Sequence, residues 1–238
     1  VYALSEVSVS ANIVENVQST ALGVTRLKMK EIKNIPTAFG ELDILKVVMA
    51  LPGVKSVGEV SSGFNVRGGA TDQNLILFNG GTVYNPTHLF GLFSIFNSDM
   101  VKDMELYKSS IPAKFGGRIS SVLDINSREG SKEKFQGSAS LGLLTSSLTL
   151  EGPLFNKKTS YIVGARTTYS DWLLNLLPEK SGYKDGNAGF YDLNASIDHR
   201  FDVNNSLTLT GYFSHDRFHF DEVERYAYQN ASASLKWT

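Results

Sequence analysis

The sequence predicts a small α+β domain followed by antiparallel strands of a transmembrane β-barrel, about six strands and therefore part of a barrel. Three observations carry this. From about residue 135, apolar and polar residues alternate along segments of about ten residues, the length of a tilted strand crossing a bilayer. The turns between those segments alternate in length, "FNKK" (155–158) and "DVNN" (202–205) against "NLLPEKSGYKDGNAG" (175–189). Before about residue 130 the pattern differs, with short strand signals, glycine turns and one stretch of helical spacing.

The first part, residues 1–130, reads in order. "EVSVSA" (6–11) alternates as a strand does. In "TAFGELDILKVVMALPGV" (37–54), Leu42, Leu45, Val48 and Met49 fall at helical spacing, and Pro52-Gly53 stops the helix. "SSGFNVRGGATDQNLILFNGGTVYNP" (61–86) reads as a strand, a tight turn and a second strand, with Phe64, Val66 and Leu75 to Phe78 in a core. Arg67 is out of place there, a permanent cation at a strand end followed by Gly68 and Gly69. "VKDMELYKS" (101–109) is a third strand and "SSVLDINSREG" (120–130) closes the set.

The second part, residues 131–238, holds strands expected at 135–144, 147–154, 159–171, 189–201, 206–218 and 225–238. "YDLNASIDHRF" sets Tyr191, Leu193, Ala195, Ile197 and Phe201 against Asp192, Asn194, Ser196, Asp198 and Arg200. "SLTLTGYFSHD" sets Leu207, Leu209, Gly211 and Phe213 against Thr208, Thr210, Tyr212, Ser214 and Asp216. A soluble sheet with one wet face alternates in the same way. Tyr161, Tyr169, Trp172, Tyr191 and Trp237 near strand ends favour a membrane girdle instead. Six tilted strands do not close around a domain of that size, and an open edge in lipid leaves backbone groups unpaired. The expectation is a longer natural chain or an edge covered by something else.

Composition narrows the function classes. The 238 residues carry a net charge of -1, which offers no electrostatic case for nucleic acid or an anionic membrane surface. With no cysteine, a disulfide scaffold, a thiolate metal site and a cysteine nucleophile are excluded. No apolar run reaches the length of a membrane helix, and the abrupt start without a signal peptide reads as a mature or trimmed chain. There is no nucleophile–base–acid order, no phosphate loop and no paired carboxylate, so neither an enzyme nor a cofactor is expected. His215 and His219 have zinc spacing only on a helix; on a strand they lie ~13 Å apart at ~3.3 Å per residue.

Five motifs in order then resemble the plug domain of TonB-dependent outer-membrane receptors: "LPGV" (51–54), "SSGFNVRGG" (61–69), "NLILFNGGTVY" (74–84), "DMVKDMELYKS" (99–109) and "FGGRISSVLDINSREG" (115–130). "YNPTHLFGLFSIFN" (84–97) looks like the Bacteroidetes version. Asn79 stands in place of the usual Asp before Gly80, Lys108 in place of an arginine, and no TonB box is identifiable. The resemblance implies a bacterial outer-membrane protein that imports a nutrient ligand with energy relayed by a TonB-type protein, through a plugged barrel of about 22 strands. Outer-membrane lipid and a surface lipoprotein or other outer-membrane protein are the further partners it suggests. The alternative is a structural or signalling component of an outer-membrane assembly that keeps the plug fold without transport.

The resemblance also supplies candidate sites. Arg67, with Lys108 and Arg118, would lock the plug to carboxylates on the barrel wall, in strands beyond residue 238. Apical plug loops would meet ligand, and Asp72, Gln73, Tyr84, Asn85 and His88 are the polar and aromatic candidates there. These amides, hydroxyls and one tyrosine lean toward a neutral polar ligand such as an oligosaccharide or peptide.

Overall fold

The computed structural model describes residues 23–32, 42–58, 63–176, 178, 186–219 and 225–238. The strands in chain order are β1 (Val24–Lys28), β2 (Val54–Ser56), β3 (Phe64–Val66), β4 (Asn74–Phe78), β5 (Gly81–Thr82), β6 (Thr87–His88), β7 (Phe93–Ser94), β8 (Val101–Tyr107) and β9 (Ser121–Ser127), then β10 (Gln136–Leu141), β11 (Thr145–Leu154), β12 (Asn156–Thr168), β13 (Asn187–Arg200), β14 (Ser206–His219) and β15 (Arg225–Trp237). The first nine belong to the α+β part, whose main sheet runs β1-β8-β9-β4-β5, with β4 and β9 parallel. The last six form one antiparallel meander, β10 to β15 in sequence order. The expected strand at 6–11 lies outside the described residues.

In the first part, the helix Ile44–Met49 buries Ile44, Leu45 and Val48. They pack with Phe64, Val66, Met104, Leu106, Leu123 and Ile125, the core under the sheet. Asp43 caps this helix, accepting from Leu45 N at 2.9 Å and Lys46 N at 3.2 Å, which satisfies two of the amides a helix start leaves free. β4 and β5 form a hairpin through Asn79 (φ 49) and Gly80 (φ 81), the left-handed pair that a tight Asn-Gly turn requires.

The stretch from β3 to β4 is not a hairpin. β3 pairs with β2, and β4 pairs with β9 and β5. A turn at Arg67-Gly68 and a 3-10 turn, Thr71–Gln73, separate β3 from β4, and Asn74 Nδ2 donates to Phe64 O at 2.6 Å to join them. Both strands carry a core-facing apolar set, so composition alone does not separate one pairing from the other.

The meander settles the choice between a soluble sheet and a membrane wall. Its polar face is the buried one: Asp192, Asn194, Ser196, Asp198, Thr210, Ser214 and Asp216 are all 6% exposed or less. Its apolar face is open: Leu193 is 47% exposed, Ile197 41%, Leu209 48% and Phe213 37%. A water-soluble sheet points its apolar face at the core, whereas a barrel wall in lipid points it outward and keeps its polar face inside. Ile162, Phe190, Tyr212 and Phe218 are buried apolar exceptions on its strands, joined by Leu144 just before β11. A bulge at Pro153/Leu154 and Phe155 (φ 60) make the short turn between β11 and β12, and residues 201–205 make the one between β13 and β14. A helix, Asp171–Leu174, opens the long connection after β12.

Candidate site at the seam between plug and wall

The short hairpin β6–β7 lies against the inner face of the meander. It is closed by Leu89 (φ 49) and Gly91 (φ 110), and its extended backbone at His88 aims the ring at the wall. His88 is 0% exposed. Its Nδ1 sits 2.8 Å from Asp216 Oδ2, and its Nε2 sits 3.2 Å from both Asp192 Oδ2 and the Tyr212 hydroxyl. The ring stacks on Phe190 at 4.0 Å between centroids and 3° between planes. Asp216 Oδ1 also accepts from Leu89 N at 3.2 Å.

Arg166, on β12, completes the cluster. Its Nε and Nη2 donate to Asp192 Oδ2 at 2.9 and 2.5 Å, and Nη2 also donates to Ser94 O at 2.8 Å. Alternation puts Arg166, Asp192, Tyr212 and Asp216 on the inner face of β12, β13 and β14. Two carboxylates face one guanidinium and one imidazole. Carboxylates this deep persist only when paired and hydrogen-bonded. An apolar patch of Leu89, Phe93, Leu144, Phe190 and Phe218 borders the cluster.

The seam continues below. Asn79 Nδ2 reaches Thr210 Oγ1 and Ser127 Oγ, both at 2.8 Å, and Asn79 Oδ1 accepts from Ser127 N. The residue that departs from the family pattern therefore uses its amide donor on the wall. Gly164 on β12 has no side chain where Asn97 and Met100 approach; a Cβ there would lie 2.8 Å from Asn97 Nδ2 and 2.6 Å from Met100 Sδ. At the crossing between the two parts, Arg128 Nη1 meets Glu151 Oε2 at 2.6 Å, and Ser131 N donates to the same oxygen at 2.9 Å.

The predicted site residues lie mostly elsewhere. Arg67 is exposed, and its left-handed backbone (φ 49) with Gly68 (φ 84) forms a turn closed by Gly69 N to Val66 O at 2.9 Å. Among the described residues its guanidinium meets no carboxylate. Lys108 Nζ donates to Pro52 O at 3.0 Å within the first part, and Arg118 Nη1 donates to its neighbour Gly117 O. Asp72 is exposed, Gln73 Oε1 accepts from Ala70 N, Tyr84 is 83% exposed and Asn85 is half-buried. His88 departs from its expected place in an apical loop, because two wall carboxylates hold it in the interior. Of the carboxylates that hold the seam, Asp192 and Asp216 were legible as part of the polar face of their strands, whereas Glu151 was not read and the partner carboxylates were expected beyond residue 238. Among the described residues no group of three or more His, Asp or Glu could hold a metal ion.

Residues 16–122 match the family model described as TonB-dependent Receptor Plug Domain. That match falls within the α+β part of the chain. No curated protein matches it in sequence. Among solved structures, the outer membrane transporter YddB from Escherichia coli superposes with a TM-score of 0.62 at 14% identity, covering 90% of this chain and 36% of its own. The siderophore receptor PirA from Acinetobacter baumannii gives 0.58 at 17%, covering 83% and 32%. The copper transporter OprC gives 0.60 at 13%, covering 92% and 34%. The chain thus spans about a third of the length of these structures. The shared fold is a plug followed by the first wall strands of an outer-membrane barrel.

Proposed function

We propose that this chain supplies the plug and first wall strands of an outer-membrane receptor that imports a scarce or large ligand, with a TonB-type protein acting on the plug from the periplasmic side. The observation that carries the reading is the seam: a plug segment bound by buried charges to the inner, polar face of a lipid-facing wall occupies the lumen. Residues 1–130 act as the plug and 131–238 as wall, a division supported by β9 ending at Ser127 and β10 starting at Gln136.

Asp72, Gln73, Tyr84 and Asn85 are the candidate ligand contacts, and their chemistry suits a neutral polar ligand. His88 moves from that set to the lock. Arg67 and Arg118, exposed and without a carboxylate among the described residues, are candidates for a lock to wall strands other than β10–β15. The test is whole-cell accumulation of neutral oligosaccharides, peptides and ferric chelates, with the proton-motive force intact or collapsed. Accumulation of one class that disappears on collapse supports import; equal accumulation in both conditions overturns it.

A further inference from the structure

The main sheet of the plug ends at β5, whose free edge has no partner strand in that sheet. That edge lies beside β15: a Cβ at Gly81 would fall 3.4 Å from Ser234 Cβ. The register sets Tyr228, Asn230, Ser232, Ser234 and Lys236 of β15 opposite Asp216, Ser214, Tyr212, Thr210 and Thr208 of β14, so this row lies on the inner face of the wall. β14 starts and β15 ends at the short-turn end of the wall, and the row therefore descends toward that end from Tyr228 to Lys236.

The plug covers the inner face of β14 closely and leaves that of β15 open. Thr210, Tyr212, Ser214 and Asp216 are all 7% exposed or less. One strand further on, Tyr228, Asn230 and Ser234 are half-buried, and Ser232 and Lys236 are exposed. The contacts that cross here are slight. The Tyr228 hydroxyl lies 3.1 Å from Thr87 O, and Lys236 Nζ lies 3.4 Å from Asn126 Oδ1. Asn230 turns to its own wall and donates to Ser214 Oγ at 3.3 Å. Gly81 and Ser234 form the neck, where one side has no side chain and the other only a hydroxymethyl. Parting plug from wall at this neck leaves the buried bonds of His88 and Arg166 intact, whereas parting it at β12–β14 strands carboxylates.

The lining suits a neutral polar ligand. At the head of the row, Asn85 bonds the Tyr228 hydroxyl, with Tyr84 beside it in the chain. Asn230, Ser232 and Ser234 add an amide and two hydroxyls. A free strand edge adds unpaired backbone N–H and C=O groups, which a polyol can use in place of water. At the foot, a hollow of about 690 Å³ opens between plug and wall, within the range of about 300–1,000 Å³ that small-ligand sites occupy. Its acids, Asp103, Glu129 and Asp198, are matched by its bases, Lys102, Arg128 and Lys236, so it favours neither sign of charge. At the opposite end, the β14–β15 connection carries Asp221, Glu222 and Glu224 against Arg217 and Arg225, which gives an anion no advantage at the entrance.

We propose that a neutral polyhydroxylated ligand passes between the β5 edge and the inner face of β15, while the plug run at His88 stays on β12–β14. The passage rests on the import reading above. The experiment labels single cysteines in the full receptor on whole cells, other cysteines being replaced, with a maleimide carried on a neutral maltodextrin too large for general porins. With the proton-motive force intact, Ser232→Cys should react at least about tenfold faster than Ser214→Cys, which lies under the plug. Gly81→Leu, which fills the neck, should slow Lys236→Cys by a similar factor and leave Ser232→Cys unchanged. Equal reaction at Ser214→Cys and Ser232→Cys shows the plug leaving whole, which overturns the passage and leaves import standing. No reaction at Ser232→Cys, or no effect of Gly81→Leu on Lys236→Cys, also overturns the passage. Reaction at Ser232→Cys that is as fast with a sulfated maltodextrin overturns the neutral class. Reaction that persists unchanged when the force is collapsed keeps the passage and overturns energised import.

Discussion

The two carboxylates facing the plug hairpin are held by different donors, and the difference sets what each substitution does. Asp192 has a partner on its own wall, Arg166, as well as His88 from the plug. Asp216 is held by the plug, through His88 Nδ1 and Leu89 N, and by the Tyr228 hydroxyl of β15. Replacing His88 with Asn removes the stacked ring and leaves Asp216 one donor short in a site 0% exposed. Removing one member of a buried pair costs about 3–5 kcal/mol. His88→Asn is therefore expected to make residues 85–97 accessible to protease in folded receptor, while the wall stays intact. Arg67→Ala, at an exposed turn, should change stability by no more than about 0.5 kcal/mol. Protease protection of the plug in the two variants checks both; equal loss in each would place the holding force at Arg67 and not at the seam.

Single elements act through their ends and their close approaches. Asp43 caps the helix Ile44–Met49 and also accepts from Ser94 N at 2.9 Å, which ties the helix to β7 and so to the seam. Asp43→Ala should cost about 0.5–2 kcal/mol for the lost cap, read as faster amide exchange at both Leu45 and Ser94. Gly130 lies in the crossing between plug and wall, and a Cβ there would fall 2.0 Å from Tyr161 O. Backbone cannot give way as a flexible side chain does, so Gly130→Ala should cost at least the ~1–3 kcal/mol of overpacking and lower the thermal midpoint. The wall elements were legible in the sequence because alternation over a dozen residues has one reading: strands expected at 189–201 and 206–218 stand at Asn187–Arg200 and Ser206–His219. Short plug strands were less legible. β1, five residues with a mixed burial pattern, went unread, and the partner of β3 could not be told from three residues. His88 was misplaced for a related reason: a polar residue in a loop looks solvated until the strands facing it, over a hundred positions later in the chain, are known.

At the scale of the whole molecule, the seam divides the plug. Contacts to the wall come from the run that starts at Thr87 and ends near Met100, from Asn79 and Gly81, from Asn126, and from the crossing at 128–131. The turns at Arg67-Gly68 and Gly117-Arg118 are exposed and make no contact of this kind among the described residues. If import proceeds by movement of the plug, the least costly movement keeps the His88–Met100 run in place, because releasing it strands Asp216 and Asp192 without their plug partners. A covalent clamp checks this cleanly, since the chain has no native cysteine to compete. Asn97 Nδ2 lies 2.8 Å and Met100 Sδ 2.6 Å from the Cβ position of residue 164, so Asn97→Cys with Gly164→Cys places two thiols on facing sides of the seam once the flexible Met100 side chain gives way. Oxidised double variant is expected to accumulate ligand as the reduced form does, with the clamp verified by the change in gel mobility after proteolysis. Accumulation abolished on oxidation and restored by reductant would show that the seam itself opens, and the buried charge cluster would then be the barrier that the periplasmic pull has to overcome.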